Sequence, residues 1–189
     1  DVCSSDLADL GQRLVAHGLQ HSRSSQGMSA DLWALREDLP CTPALRIEPV
    51  RRAEQLRQYI QVAAIGFDLP PACAEALYRE CLALGLGSTQ PLRHYLGLLG
   101  DEPAAVSTMF LGGGGAGLYT VATIPAARRQ GLSTAMTLAP LREARSEGYR
   151  VGVLLPSAAG FQVYARLGFE ACCALEVYSF DGREKEPAQ

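Results

Sequence analysis

The residue pattern most suited to chemistry runs Val121-Ala-Thr123-Ile-Pro125-Ala-Ala-Arg128-Arg129-Gln130-Gly131-Leu132-Ser133-Thr134-Ala135-Met136. It reads as a strand, a short basic loop and the start of a helix rich in small residues. A helix opening offers backbone N–H groups that have no intrahelical partner, together with the positive end of the helix dipole. An anion placed there meets several donors at once. Gly131 lets backbone approach such a ligand with no Cβ in between, while Arg128 and Arg129 add charge and hydrogen-bond donors. The chemistry expected of the stretch Arg128 to Thr134 is therefore phosphate or pyrophosphate binding. Taken alone, the same stretch also fits an ordinary strand-to-helix turn with two solvated arginines.

A second segment, Ser157-Ala-Ala-Gly160-Phe-Gln-Val-Tyr164-Ala-Arg-Leu-Gly168-Phe169, follows one strand later. The pair resembles the GNAT superfamily of N-acetyltransferases. Its Pro-x-x-Arg-x-x-Gly-x-Gly/Ala element corresponds to Pro125-Ala-Ala-Arg128-Arg-Gln-Gly131-Leu-Ser133, and its Tyr-x-x-x-Gly-Phe element to Tyr164-Ala-Arg-Leu-Gly168-Phe169. Ser133 departs from the pattern, standing where the family usually carries Gly or Ala. The resemblance implies a GNAT-like acyl-CoA-binding fold and acetyl-CoA as co-substrate. Its pyrophosphate would lie on Arg128, Arg129, Gln130, Gly131, Leu132, Ser133 and Thr134, and its pantetheine against the strand backbone near Val121 and Thr123.

The same resemblance implies transfer of an acetyl group to a primary amine by direct attack. The backbone N–H of Val121 would face the thioester carbonyl, and Tyr164 would protonate the departing CoA thiolate. An unperturbed phenol, with a pKa near 10, still holds its proton at neutral pH. Many family members place a Glu or His on the strand before the basic loop as general base, but here that strand reads Gly117-Leu-Tyr-Thr-Val-Ala-Thr, without carboxylate or imidazole. Tyr119 is a poor base at neutral pH, and Glu75, Glu80 and His94 are candidates from other elements, each with an ordinary alternative as a solvated or structural side chain. A non-catalytic acyl-CoA-binding regulatory domain of the same fold is the competing reading. The glycine run from Gly112 to Gly117 lacks the Lys-Ser/Thr of a nucleotide-binding loop and reads as a hairpin turn.

The elements that must hold these residues follow from periodicity. Leu45 to Glu48 alternates as a strand, and two helical stretches, Ala53 to Ile65 and Pro71 to Leu84, flank a Gly66–Pro70 connection over which the acceptor would sit. Strands are expected at Arg93–Leu98, Ala105–Leu111 and Leu118–Thr123. Leu132, Ala135, Met136 and Ala139 then mark one buried helix stripe, which Pro140 should kink before it resumes to Ser146. Val151–Leu155 gives a short buried strand, Ser157 caps a helix ending at Leu167, Gly168 closes it, and Phe169–Phe180 is a last strand. The order implies an α/β (α+β) fold with a mixed, mostly antiparallel sheet flanked by helices.

Before Leu45 the pattern is weaker. Leu7, Leu10 and Leu14 suggest a short helix stopped by Gly18, Ser22–Ser29 reads as loop, residues 31–39 fit helix or strand, and Pro40 and Pro43 bracket a linker. We therefore expect residues 1–44 to be an N-terminal segment left from an upstream region and dispensable for cofactor binding. Residues 45–180 would form the acetyltransferase domain and 181–189 a polar tail. The chain opens on Asp1 rather than Met, and residues 1–7 read as an artefactual extension without functional weight.

A formal net charge of -3 with mixed signs gives no basic stripe for nucleic acid, and no apolar run reaches the roughly 20 residues that span a bilayer. The expected partner is a small-molecule or peptide amine, with no nucleic acid or membrane, in a cytoplasmic protein for which a homodimer is open. The six cysteines (Cys3, Cys41, Cys73, Cys81, Cys172, Cys173) show neither a CxxC pair nor zinc-ligand spacing, so no metal is expected and the thiols read as reduced. Cys172 and Cys173 should point to opposite faces of a strand, one packed and one exposed.

Overall fold

A computed structural model describes residues 9–180; the opening heptad with Cys3, and the tail 181–189, lie outside the described residues. The chain runs α1 (Leu10–Ala16), β1 (Gln20–Asp31), β2 (Leu45–Pro49), α2 (Ala53–Phe67), α3 (Pro71–Leu84), β3 (Leu92–Leu99), β4 (Glu102–Gly112), β5 (Gly115–Thr123), a 3-10 turn (Pro125–Ala127), α4 (Leu132–Ser146), β6 (Val151–Leu154), α5 (Phe161–Leu167) and β7 (Glu170–Ser179). Among the described residues the seven strands form one sheet in the order β2-β3-β4-β5-β6-β1-β7. Every neighbour is antiparallel except β5 and β6. The mixed sheet agrees with the expected fold class.

One strand was not legible beforehand. Residues 22–29, read as loop, belong to β1, which pairs with β6 through Met28–Asp31 and with β7 through Gln20–Ser29. The first half of β1 is exposed on both faces, so it lacks the apolar alternation from which strands are recognised. The sheet thus draws on residues before the boundary expected at Leu45: without β1, β6 and β7 have nothing between them.

Two cores lie on the two faces. One packs Met28, Leu118, Leu154 and Phe169 of the sheet region against Leu132, Met136 and Leu141 of α4 and Leu167 of α5. The other packs Leu96, Leu98, Val106 and Ala122 under Leu56, Tyr59, Ile60 and Ala63 of α2 and Tyr78 and Cys81 of α3. Each large apolar side chain so buried contributes about 1.5–3 kcal/mol. Helix α4 remains continuous through the buried Pro140. Its far end is tied to β3 by Arg93, which donates to Glu143 Oε1 at 2.7 Å and to both carboxylate oxygens of Glu147. Cys172 and Cys173 do not divide between packed and exposed. Both are exposed, because β7 is exposed on both faces from Glu170 to Glu176, and across a register shift opposite Gly27/Met28 their sulfurs lie 3.9 Å apart.

Candidate functional site

Strands β5 and β6 run parallel only from Gly115–Val151 to Leu118–Leu154. Beyond Leu118, β5 continues to Thr123 while β6 has ended, and the sheet opens between them. The same stretch of β5 carries a bulge on its other edge. The register with β4 passes from Val106–Ala122 to Thr108–Tyr119, so Thr120 and Val121 stand opposite Ser107 alone, two residues against one. Thr120 has φ 51°, a left-handed conformation that a β-branched residue rarely adopts. Val121 consequently has no register partner on either edge.

The opening is a cleft of about 610 Å³ lined by Gly66, Phe67, Val121, Ala122, Thr123, Arg128, Arg129, Ser133, Ser157, Gly160, Val163 and Tyr164, among others. A second pocket of about 220 Å³, lined by Thr123, Arg128, Arg129, Gly131, Leu132, Ser133, Thr134 and Val163, extends it to the start of α4. Of the residues expected to hold the cofactor or to protonate its thiolate, only Gln130 lines neither space. No side chain caps α4, and the first-turn N–H groups of a helix have no internal partner. The open first turn, the two arginines and the small side chains Ser133 and Gly160 fit a phosphate-bearing, extended ligand. Thr123 Oγ1 and Ser133 Oγ stand 3.4 Å apart on the two sides of the turn, and the Arg128 Nε–H donates to the Thr123 carbonyl at 3.3 Å.

Gly131 serves a purpose that was not foreseen. It adopts φ 79°, and a Cβ there would lie 2.5 Å from the Pro40 carbonyl oxygen and 2.8 Å from Cys41 Cα. The Thr42 N–H also donates to the Gln130 carbonyl. The glycine is thus demanded by the backbone of the segment that precedes β2, whatever it also allows a ligand.

Tyr164 reaches the cleft from α5, half-buried, with its ring edge-on to Phe169 at 6.1 Å between centroids. Burial pushes its phenol above the ordinary range, against the opposing effect of the nearby Thr137 hydroxyl. Thr137 Oγ1 in turn donates to the Ser133 carbonyl at 2.8 Å. The candidate bases are not in the cleft. Glu75 and Glu80 are exposed on α3, and His94 is buried on β3 against Tyr59 of α2, with its imidazole pushed down to about 4 by that burial. Tyr119 is exposed on β5 and does not line the cleft. The lining holds no carboxylate and no imidazole.

The Gly66–Pro70 stretch, read from the sequence as a connection beneath the acceptor, gives the cleft Gly66 and Phe67 as walls, but both belong to the end of α2. Helix α2 runs to Phe67 rather than Ile65, and a Cβ on Gly66 would lie 2.6 Å from Ala122 Cβ, so the helix end rests directly on β5.

Residues 114–172 match the family described as Acetyltransferase (GNAT) domain. No curated protein matches the sequence. Among solved structures, the chain is similar to a GCN5-related N-acetyltransferase from Kribbella flavida, at 19% identity and TM-score 0.67 over 92% of this chain and 64% of that one. It is similar to another from Sphaerobacter thermophilus, at 15% identity and TM-score 0.63 over 93% of this chain and 56% of that one. A tandem GNAT protein from the clavulanic acid biosynthesis pathway aligns at 16% identity and TM-score 0.66, over 94% of this chain and 60% of that one. The chain therefore spans less than two thirds of the length of each of these three proteins.

Proposed function

We propose that this chain, which carries a GNAT acetyltransferase segment within a GNAT fold, transfers an acetyl group from acetyl-CoA to a primary amine. The observation that carries the reading is the convergence of three features on one cleft: the partnerless Val121 backbone, the uncapped opening of α4 with Arg128 and Arg129, and the Tyr164 hydroxyl. Acetyl-CoA supplies an activated acyl group and a thiolate leaving group. The first turn of α4 and the arginines hold its pyrophosphate, and β5 backbone at Val121 and Thr123 pairs with the pantetheine. The Val121 N–H donates to the thioester carbonyl as negative charge develops there, a contribution worth roughly 2.7–4 kcal/mol for such a donor in other enzymes. Tyr164, its phenol held protonated by burial, gives its proton to the sulfur as the C–S bond breaks.

The acceptor approaches over Phe67 and the α2–α3 connection. Because the cleft lining holds no side-chain base, a water relay is the route by which the ammonium loses its proton. The same absence supports a second reading, an acyl-CoA-binding regulatory domain without turnover. Release of free CoA from acetyl-CoA across a panel of amines separates the two. Turnover with any amine supports the transferase, and tight acetyl-CoA binding with no CoA release across the panel supports the regulator. We further propose a cytoplasmic setting; among the described residues no helix is long and apolar enough to cross a membrane.

A further inference from the structure

Behind the bulge lies a buried polar cluster that the reaction so far does not use. Tyr59 of α2, 1% exposed, has its hydroxyl 2.5 Å from Thr108 Oγ1 of β4, with Thr120 of β5 beside it. His94 Nδ1 of β3 stands 2.9 Å from the same Thr108 oxygen, while its Nε2 is buried without a partner. The network assigns the proton to Nδ1, since an unpartnered ring acceptor costs less than an unpartnered N–H. The bonds then run in one direction, His94 to Thr108 to Tyr59, which leaves the Tyr59 proton for Thr120. Burial keeps both ends neutral, pushing the phenol up to about 12 and the imidazole down to about 4.

Thr120 is the strained residue of the bulge, and a left-handed threonine costs on the order of 1–3 kcal/mol unless its surroundings hold it. The cluster beside it is anchored on α2, β3 and β4. We propose that Tyr59 is a positioning residue for acetyl transfer: through Thr108 and Thr120 its hydroxyl locks the β5 bulge and so fixes where the Val121 N–H points. The inference rests on the reading of Val121 as donor to the thioester carbonyl. A donor displaced by about 1 Å costs up to about 10²-fold in rate even when binding is intact.

The test compares Tyr59→Phe, Thr108→Val and the conservative Thr108→Ser in two measurements on the whole chain. In turnover with acetyl-CoA and an accepted amine, Tyr59→Phe and Thr108→Val should lower kcat about 10- to 100-fold while acetyl-CoA affinity changes about twofold or less. Thr108→Ser, which keeps the hydroxyl, should stay near wild type. Independently of turnover, the Val121 amide resonance should shift or broaden in the NMR spectrum of Tyr59→Phe, with core amides of α4 unmoved. Thr120→Gly removes strain and hydroxyl together, so it should raise Tm while lowering kcat, a split that a purely structural cluster would not produce. An unmoved Val121 resonance in Tyr59→Phe overturns the inference, as does an unchanged kcat in an active enzyme. A wild-type chain that binds acetyl-CoA but never turns over overturns the transferase reading instead, and the Val121 resonance still decides the role of Tyr59.

Discussion

Tyr164 has its ring packed on Phe169 and its hydroxyl beside Thr137, so Tyr164→Phe removes one oxygen and leaves the packing. If that oxygen is the proton donor, kcat should fall by about 10²-fold with acetyl-CoA affinity and Tm near wild type. Because burial raises the phenol, the wild-type donor stays protonated through neutral pH and above it. Steady-state kinetics in a regime where chemistry limits turnover gives the answer, and an unchanged kcat makes Tyr164 a packing residue. His94 makes a different prediction. Burial pushes its imidazole down to about 4 in the folded chain against an ordinary value of about 6.5, so between those values the unfolded chain binds the extra proton. Stability contributed by the buried neutral ring is fully present above about pH 6.5 and is lost as pH falls toward 4, by on the order of 3 kcal/mol. Urea unfolding of wild type and His94→Gln at pH 7 and pH 4.5 should show the smaller acid loss in the variant. Equal losses would mean that His94 does not carry the linkage.

At the scale of elements, the cleft exists because neighbours stop or crowd at particular residues. β6 ends at Leu154 while β5 continues, Thr120 and Val121 bulge, and α2 rests its last turn on Ala122 through Gly66. Gly66→Ala places a methyl where Ala122 already is, so α2 must shift from β5. Overpacking of this kind costs about 1–3 kcal/mol, and since Gly66 and Phe67 wall the cleft, acetyl-CoA affinity should fall with Tm. Thermal unfolding and ligand titration of this variant check both, and wild-type values in both would show that the contact is not tight in solution. Much of this architecture was legible in the sequence. The basic loop and α4 start were marked by Pro125, Arg128 and Gly131, and α5 by its closing Gly168, because capping and turn residues announce themselves locally. The bulge was not, since nothing in Leu118-Tyr-Thr-Val-Ala says that Thr120 will take a positive φ; the bulge shows only in the pairing with β4, where Thr120 and Val121 stand opposite Ser107. The steric reason for Gly131 was hidden for the same reason, because Pro40 is remote in sequence.

For the molecule as a whole, β1 changes what counts as the folding unit. Residues read beforehand as a dispensable N-terminal segment supply the strand between β6 and β7, and Pro40 and Cys41 pack on Gly131 beside the cleft. A chain begun at Pro43 would leave β6 and β7 with exposed edges and an unfilled core at Met28, and should fail to fold cooperatively. Circular dichroism melting of that truncation against the chain from residue 9 tests this; a cooperative truncation that still binds acetyl-CoA would restore the later boundary. The central claim is that the cleft between β5, β6 and the start of α4 is an acyl-CoA site, and calorimetric titration of acetyl-CoA tests it most directly. The folded chain should bind one acetyl-CoA, and reversing the exposed pair with Arg128→Glu and Arg129→Glu should weaken binding by about tenfold or more, as expected for lost charge-assisted hydrogen bonds of about 1.5–3 kcal/mol each. A folded wild-type chain that takes up no acetyl-CoA, or a charge-reversed chain that binds it equally well, would contradict the account.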